Sequence, residues 1–138
     1  DFEELMKIDM ALIAEHKDKT HLMPGAKEAL NYISGRKIKI GLVTNTPRKP
    51  AMELLEYHKI KDKFDAIVAG DDVERPKPYP DPVIELCNKL NVMPQEAMLV
   101  GDTKTDYKAG KAAGCVVVGL NTKGDLMISK LSDLHQLI

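Results

Sequence analysis

The sequence has neither a charge imbalance nor a long hydrophobic run. Its 138 residues include 20 lysines and arginines against 21 aspartates and glutamates, a formal net charge of −1. Such a balance gives no overall field that would attract nucleic acid or an anionic membrane surface, so we expect neither as a partner. No apolar run approaches the roughly 18 residues of a membrane-spanning helix. The first residues also do not have the charged-then-apolar pattern of a signal peptide, and we expect a cytoplasmic protein.

Cysteine is scarce as well. Cys87 and Cys115 are the two cysteines of the sequence, and they stand far apart without the spacing of a metal site. Cys87 falls on the apolar side of a helical pattern, and Cys115 begins a predicted strand. This placement favours buried thiols over a disulfide, and therefore a reducing compartment.

Apolar residues follow helical and strand-like patterns in alternation along the chain. Strands that are apolar on both faces and alternate with helices indicate a parallel sheet covered on both sides. We therefore predict an α/β fold with a doubly wound parallel sheet. The patterns predict helices over residues 3–16, 24–35, 47–58, 82–90, 104–113 and within 125–138, and strands over 38–44, 64–69, 97–100 and 115–120.

Three loops that follow predicted strands carry polar groups. Thr44 ends one predicted strand and Asn45 follows it. Lys77 lies in a proline-rich loop after the next strand, and Asp102 and Asp106 follow a third. In a doubly wound sheet these loops lie at the same edge. A hydroxyl and helix N-terminal N–H groups bind phosphate, a lysine offsets its charge, and an aspartate holds Mg²⁺.

Each of these groups taken alone also has an ordinary structural explanation. A threonine after a strand is commonly a turn or cap residue, a lysine is commonly solvated, and acids favour the start of a helix. The three groups in this order, each after a strand, favour a phosphoryl-transfer site instead.

These motifs resemble those of the haloacid dehalogenase-like hydrolases. Leu42-Val43-Thr44-Asn45 is similar to the second motif of that family, Lys77 within Arg-Pro-Lys-Pro to the third, and Gly101-Asp102-Thr103-Lys104-Thr105-Asp106 to the fourth. The resemblance covers roughly residues 22–122. It is strongest to the phosphoglycolate phosphatase and β-phosphoglucomutase branch, which carries a helical cap.

The resemblance implies a role for each site residue. Thr44 and Asn45 would bind the transferring phosphate, and Lys77 would stabilise the charge on the nucleophile and the phosphoryl group. Asp102 would ligate Mg²⁺, and Asp106 would orient the lysine or a metal-bound water. The implied activity is Mg²⁺-dependent hydrolysis of a small phosphorylated metabolite, phosphoglycolate-like, through an aspartyl-phosphate. A phosphomutase acting on a sugar phosphate is the alternative within the family.

The first motif of the family, an Asp-x-Asp-x-Thr-type segment that ends a strand, has no counterpart in the sequence. Neither Asp9 nor Asp18 ends a predicted strand. Because aspartyl-phosphate chemistry needs a positioned carboxylate, we expect the chain to be inactive on its own. We also expect the sheet to lack its first, central strand, between the strands that carry Thr44 and Asp102. Each unpaired buried backbone group in such a gap costs about 1–3 kcal/mol.

This interpretation divides the chain into two parts. Residues 1–20 would be a remnant of the helical cap with its return linker, and residues 21–138 the core with motifs two to four. The strand with the nucleophile would come from an N-terminal segment of a longer chain or from a separate chain. A phosphate-binding pseudoenzyme remains an alternative. A phosphate-responsive receiver domain fits less well, because receivers gather their acids early in the chain.

Overall fold

The computed structural model describes residues 5–9, for which it gives the backbone, and residues 25–138. Within these residues the strands are β1 (Leu5–Asp9), β2 (Lys39–Val43), β3 (Ala66–Val68), β4 (Met98–Gly101), β5 (Val116–Leu120) and β6 (Leu126–Ile128). The helices are α1 (Ala26–Gly35), α2 (Arg48–Tyr57), α3 (Asp81–Leu90) and α4 (Lys104–Ala113). Short 3-10 helices span Lys61–Lys63, Pro94–Glu96 and Leu131–Gln136.

The strands form one sheet in the order β3-β2-β1-β4-β5-β6, and every neighbouring pair is parallel. The chain runs outward from the centre in one direction and then returns to build the other half. This is the doubly wound α/β arrangement, and the predicted fold class is confirmed. The carboxyl ends of all six strands therefore meet at one edge.

The central position of the sheet differs from the prediction. Leu5–Asp9 was predicted to be helical, but it forms a strand that pairs with β2 along five residues and with β4 along three. The expectation of an empty centre is therefore wrong for the described backbone, whereas the assignment of residues 1–20 to the cap and its linker stays a prediction. An empty centre would leave backbone groups of β2 and β4 unpaired, and an extended segment satisfies them. The other residues predicted as cap and linker, 1–4 and 10–20, lie outside the described part.

Two apolar clusters cover the two faces of the sheet. Helices α1 and α2 contribute to the first cluster and α3 and α4 to the second. Strand β4 serves both, since Met98 and Val100 belong to the first and Leu99 to the second, as the period of a strand requires. Cys87 and Cys115 are buried in the second cluster without a disulfide, which confirms the prediction for both. Each fully buried aliphatic side chain contributes about 1.5–3 kcal/mol to folding.

The prediction of a helix within 125–138 is confirmed only in part. The chain first forms the short strand β6 and then the 3-10 helix over Leu131–Gln136. The three apolar residues of β6 extend the sheet by pairing with β5, which a helix could not do. No helix among the described residues has the length and apolar character needed to cross a membrane.

Asp125 ties the turn between β5 and β6 to the sheet. Its carboxylate accepts the Val117 N–H at 2.8 Å and lies 3.1 Å from the Lys111 ammonium. The Val117 N–H, helped by Lys111, holds the pKa of the Asp125 carboxyl below its ordinary value despite partial burial. The folded state thus favours the ionised form. The resulting stabilisation is complete above the unfolded pKa of about 3.9 and is lost as pH falls through the lowered pKa.

Replacing Asp125 by asparagine should make the protein less stable, by an amount that depends on pH. The amide oxygen of Asp125→Asn can still accept the Val117 N–H, so the change removes mainly the charge. We expect a loss of about 1 kcal/mol near neutral pH that shrinks as the pH falls below about 4. Urea unfolding across this range measures it. Asp62→Asn, at an exposed acid, is the control, with an expected change within about 0.5 kcal/mol. An equal loss from Asp125→Asn at every pH would contradict the assignment.

Candidate active site

The predicted site residues follow strands at the carboxyl edge of the sheet. Thr44 comes directly after β2, and Asp102 comes directly after β4. Lys77 lies in the loop that connects β3 to α3, and Asp106 lies in the first turn of α4. The parallel sheet brings together residues that are up to 62 positions apart in the chain (from Thr44 to Asp106).

A buried ion pair joins two of these loops. The Lys77 Nζ atom lies 2.6 Å from Asp106 Oδ1, and the two side chains are 7% and 1% exposed. The second oxygen, Asp106 Oδ2, accepts the N–H groups of Asp102 and Thr103 at 3.1 Å each and the Thr103 hydroxyl at 2.8 Å. The carboxylate is therefore well supplied with donors, as a buried charge must be.

The position of the Asp106 carboxylate depends on Gly101, a residue of the fourth motif to which the sequence alone assigned no role. A Cβ atom on Gly101 would lie 2.5 Å from both the Cβ and the Oδ2 of Asp106, closer than real atoms approach. Position 101 must therefore lack a side chain for the carboxylate to reach the end of β4. The signal in the sequence was a glycine between a buried strand and an acidic residue, which alone indicates only a turn.

Thr44 is buried at the end of β2, with 2% of its surface exposed. Its backbone N–H donates to the Val68 carbonyl at 3.0 Å, which extends the pairing of β2 with β3. Its hydroxyl oxygen accepts the Thr46 N–H at 3.0 Å. A hydroxyl that accepts one bond still has a proton to donate, so Thr44 is chemically able to hold a phosphate oxygen.

Asn45 links the β2 loop (residues 44–47) to the lysine loop (residues 75–80, the second part of the connection between β3 and α3). Its Oδ1 accepts the backbone N–H of Lys77 at 3.1 Å, and its Nδ2 donates to the backbone carbonyl of Lys77 at 3.2 Å. Asn45, Lys77, Asp106 and Asp102 are thus connected by an unbroken series of hydrogen bonds.

The first part of the same connection, residues 69–74, also contacts the β2 loop. The Gly70 N–H donates to the Thr46 carbonyl at 2.8 Å, and a Cβ atom on Gly70 would lie 2.0 Å from the Asn45 carbonyl oxygen. Arg48 forms a two-pronged ion pair with Asp72. The Arg48 guanidinium holds the pKa of the Asp72 carboxyl below its ordinary value, against partial burial.

A second bidentate ion pair, between Arg75 and Asp81, closes the lysine loop. Arg75 Nε and Nη2 lie 3.1 and 3.2 Å from the two carboxylate oxygens of Asp81, the first residue of α3. The Arg75 guanidinium also lies 5.1 Å from the centre of the Tyr79 ring, a cation–π contact. The peptide bond between Lys77 and Pro78 is cis. The sequence did not indicate either bidentate ion pair, since both join residues whose proximity depends on loop geometry.

Asp102 is the exposed acid of the site. Partial burial raises the pKa of its carboxyl above the ordinary value, and the Asp106 carboxylate adds to the rise, while the Asp102 N–H and Lys77 oppose it. Its negative charge is therefore incompletely relieved, which suits a cation ligand. No group of three or more metal-type ligands occurs among the residues that the structure describes. Asp102 would bind Mg²⁺ together with other oxygens, such as waters.

The described geometry gathers all five predicted residues at one edge, through the contacts given above. It does not test the catalytic, phosphate-binding and metal-binding roles of Thr44, Asn45, Lys77, Asp102 and Asp106, which stay predictions.

The chain is similar to known phosphoglycolate phosphatases and to a β-phosphoglucomutase. The chain is 38% identical over 104 residues to phosphoglycolate phosphatase of Escherichia coli K12, an alignment that covers 75% of this chain and 41% of the relative. A crystal structure of a predicted phosphoglycolate phosphatase from Haemophilus somnus 129PT superposes with a TM-score of 0.80 at 29% identity, covering 85% of this chain and 57% of that one. β-Phosphoglucomutase from Clostridium difficile superposes with a TM-score of 0.74 at 28% identity, covering 82% and 52%.

The chain thus spans about two fifths of the length of the curated phosphatases that it matches. The family model for haloacid dehalogenase-like hydrolases matches residues 3–120, which is most of the sequence and includes all five predicted site residues. The doubly wound sheet and the sequence order of the polar loops agree with this match. The chain therefore belongs to the haloacid dehalogenase-like hydrolase family.

Proposed function

We propose that this chain is the phosphate-handling part of a phosphatase that hydrolyses a small phosphate monoester through an aspartyl-phosphate. The ion pair of Lys77 with Asp106 is the observation that carries the proposal. Burying an ammonium and a carboxylate costs desolvation energy that their attraction barely offsets, so stability alone is a weak reason for the pair. A cation already held in place, where negative charge develops on a phosphoryl group, lowers the barrier of transfer.

Each residue of the site has a part in this proposal. The Thr44 hydroxyl donates to an oxygen of the bound phosphate, and the Lys77 ammonium offsets the charge on the nucleophile and the phosphoryl group. Asp106 keeps the ammonium in position through the contact of 2.6 Å. Asp102 is the proposed ligand of Mg²⁺, and its raised pKa supports a site that a cation would relieve. When bound, Mg²⁺ supplies further charge compensation at the phosphate.

In this proposal the nucleophilic aspartate comes from outside the described residues. Asp9 is the last residue of β1 and pairs in register with Val43, so its backbone ends at the correct edge. Residue 11, however, is alanine where the resembled motif has its second acid, and β1 contains Lys7 whereas β4 and β5 carry no charge. We propose that another segment, of the same or a separate chain, brings the aspartate and takes the central position in the active protein.

The name of the relatives that are 38% identical to this chain supports phosphoglycolate as the substrate. A phosphomutase acting on a sugar phosphate is the second candidate, because β-phosphoglucomutase shares the fold at 28% identity. A phosphate-binding pseudoenzyme is the third. The buried thiols of Cys87 and Cys115 support a reducing compartment, and we propose the cytoplasm.

The full-length protein should release inorganic phosphate from phosphoglycolate when Mg²⁺ is present. We expect Lys77→Arg, which keeps the charge but changes its position, and Asp102→Asn each to lower kcat by about 10²–10³-fold. Lys77→Ala should be more damaging, because it also leaves Asp106 as an unpaired buried charge at a cost of about 3–5 kcal/mol.

Lys111→Ala is the matched control, because Lys111 also pairs with an aspartate but lies outside the site. It should retain turnover, and circular dichroism should confirm that each variant is folded. Wild-type activity in Lys77→Arg and Asp102→Asn would contradict the proposal. Transfer of phosphate between sugar positions would favour the mutase, and phosphate binding without turnover the pseudoenzyme.

The source of the nucleophile has its own test. If another segment supplies it, Asp9→Asn in the full-length protein should change kcat by less than about threefold, because the variant keeps every group that contacts the reacting phosphate. If Asp9 itself attacks phosphorus, kcat should fall by at least about 10³-fold and no phosphorylated protein should accumulate. Acid-quenched mass spectrometry of the peptide that carries the phosphate locates the nucleophile directly.

A further inference from the structure

We infer that Asn45 is a positioning residue that acts through Lys77, which differs from the phosphate contact that the family resemblance implies. The inference rests on the proposed phosphatase function and concerns how its lysine is held. The side-chain amide of Asn45 bonds both polar groups of the Lys77 backbone, accepting its N–H at 3.1 Å and donating to its carbonyl at 3.2 Å. This two-point contact joins segments 32 residues apart.

The orientation of the amide follows from these partners. Asn carries one acceptor oxygen and one NH₂ group, so the oxygen must face the Lys77 N–H and the nitrogen must face the Lys77 carbonyl. The reversed amide would set two donors against each other and two acceptors against each other. Turning Asn45 toward a phosphate would break both bonds at once.

The backbone of Asn45 is itself closely packed. Residues 69–74 contact it, since a Cβ atom on Gly70 would lie 2.0 Å from the Asn45 carbonyl oxygen. The Gly70 N–H also holds the neighbouring Thr46 carbonyl at 2.8 Å. The position of the β2 loop is therefore transmitted to Lys77 by the Asn45 side chain.

The lysine loop is closed by an ion pair of its own. The bidentate contact between Arg75 and Asp81 brings the two ends of the loop together, and Lys77 lies between them. Its backbone is held by Asn45 and its ammonium by Asp106. Without Asn45, the ammonium would keep its ion pair with Asp106, but the Lys77 backbone would no longer be fixed to the β2 loop that carries Thr44. Misplacing a catalytic group by about 1 Å costs on the order of 10²-fold in rate.

Steady-state kinetics of the full-length Asn45→Ala variant separate positioning from phosphate binding. A positioning residue should lower kcat by about 10- to 100-fold and change KM and the inhibition constant of inorganic phosphate by less than about threefold. A phosphate ligand should instead raise KM and that inhibition constant by about tenfold or more. An unchanged kcat, or the second pattern, would overturn the inference.

Asn121→Ala is the control for removing a loop asparagine. Asn121 also donates its Nδ2 to a backbone carbonyl, that of Ser129 at 3.1 Å. The variant loses the same type of bond outside the proposed site, so its kcat should stay within about threefold of the wild type.

Amide hydrogen exchange keeps the inference testable even if the full-length protein has no phosphatase activity. In Asn45→Ala the Lys77 N–H should exchange at least about tenfold faster, while amides of β4 keep their rates. Titration of the same variant with inorganic phosphate should give an unchanged dissociation constant. Unchanged exchange at Lys77, or clearly weaker phosphate binding, would overturn the role assigned to Asn45, whatever the fate of the proposed activity.

Discussion

The contact between the Lys77 ammonium and the Asp106 carboxylate is the interaction around which the site is built. Both side chains are almost fully buried, so the second carboxylate oxygen of Asp106 also needs hydrogen-bond donors nearby. The backbone of residues 102 and 103 and the Thr103 hydroxyl provide them, and they can do so because α4 begins there. The start of α4, the end of β4 and the lysine loop are thereby held in one arrangement.

Close backbone approach is the condition that lets these loops meet. Gly101 gives room to the Asp106 carboxylate, and Gly70 gives room to the Asn45 carbonyl. A methyl group at either position would occupy space that a backbone or a functional group already fills. Parallel strands bring loops to one edge, but they do not by themselves bring them within hydrogen-bond distance. These two glycines make the final approach possible, on either side of the central strand.

The sequence predicted much of the fold where patterns were long and bounded. The helix over residues 104–113 was predicted at its true bounds, and the structure shows what sets them: Thr103 caps its start, and Gly114 ends it in the left-handed conformation with a φ of 98°. The segments at 3–16 and 125–138 were misread as helical where Leu5–Asp9 and Leu126–Ile128 form strands. Short apolar stretches fit either period, and the sheet positions beside β2, β4 and β5 decided between them.

By itself the sequence determined the α/β class, the family and the set of polar residues at the carboxyl edge, because these depend on residue type and order. Only the tertiary structure decided how those residues engage one another. Asn45 and Lys77 are 32 residues apart, and Lys77 and Asp106 are 29 apart. No periodicity relates such pairs; their bonds arise from the packing of loops at the sheet edge. The occupant of the central strand was decided there too, because unpaired backbone groups in a sheet accept whichever extended segment satisfies them.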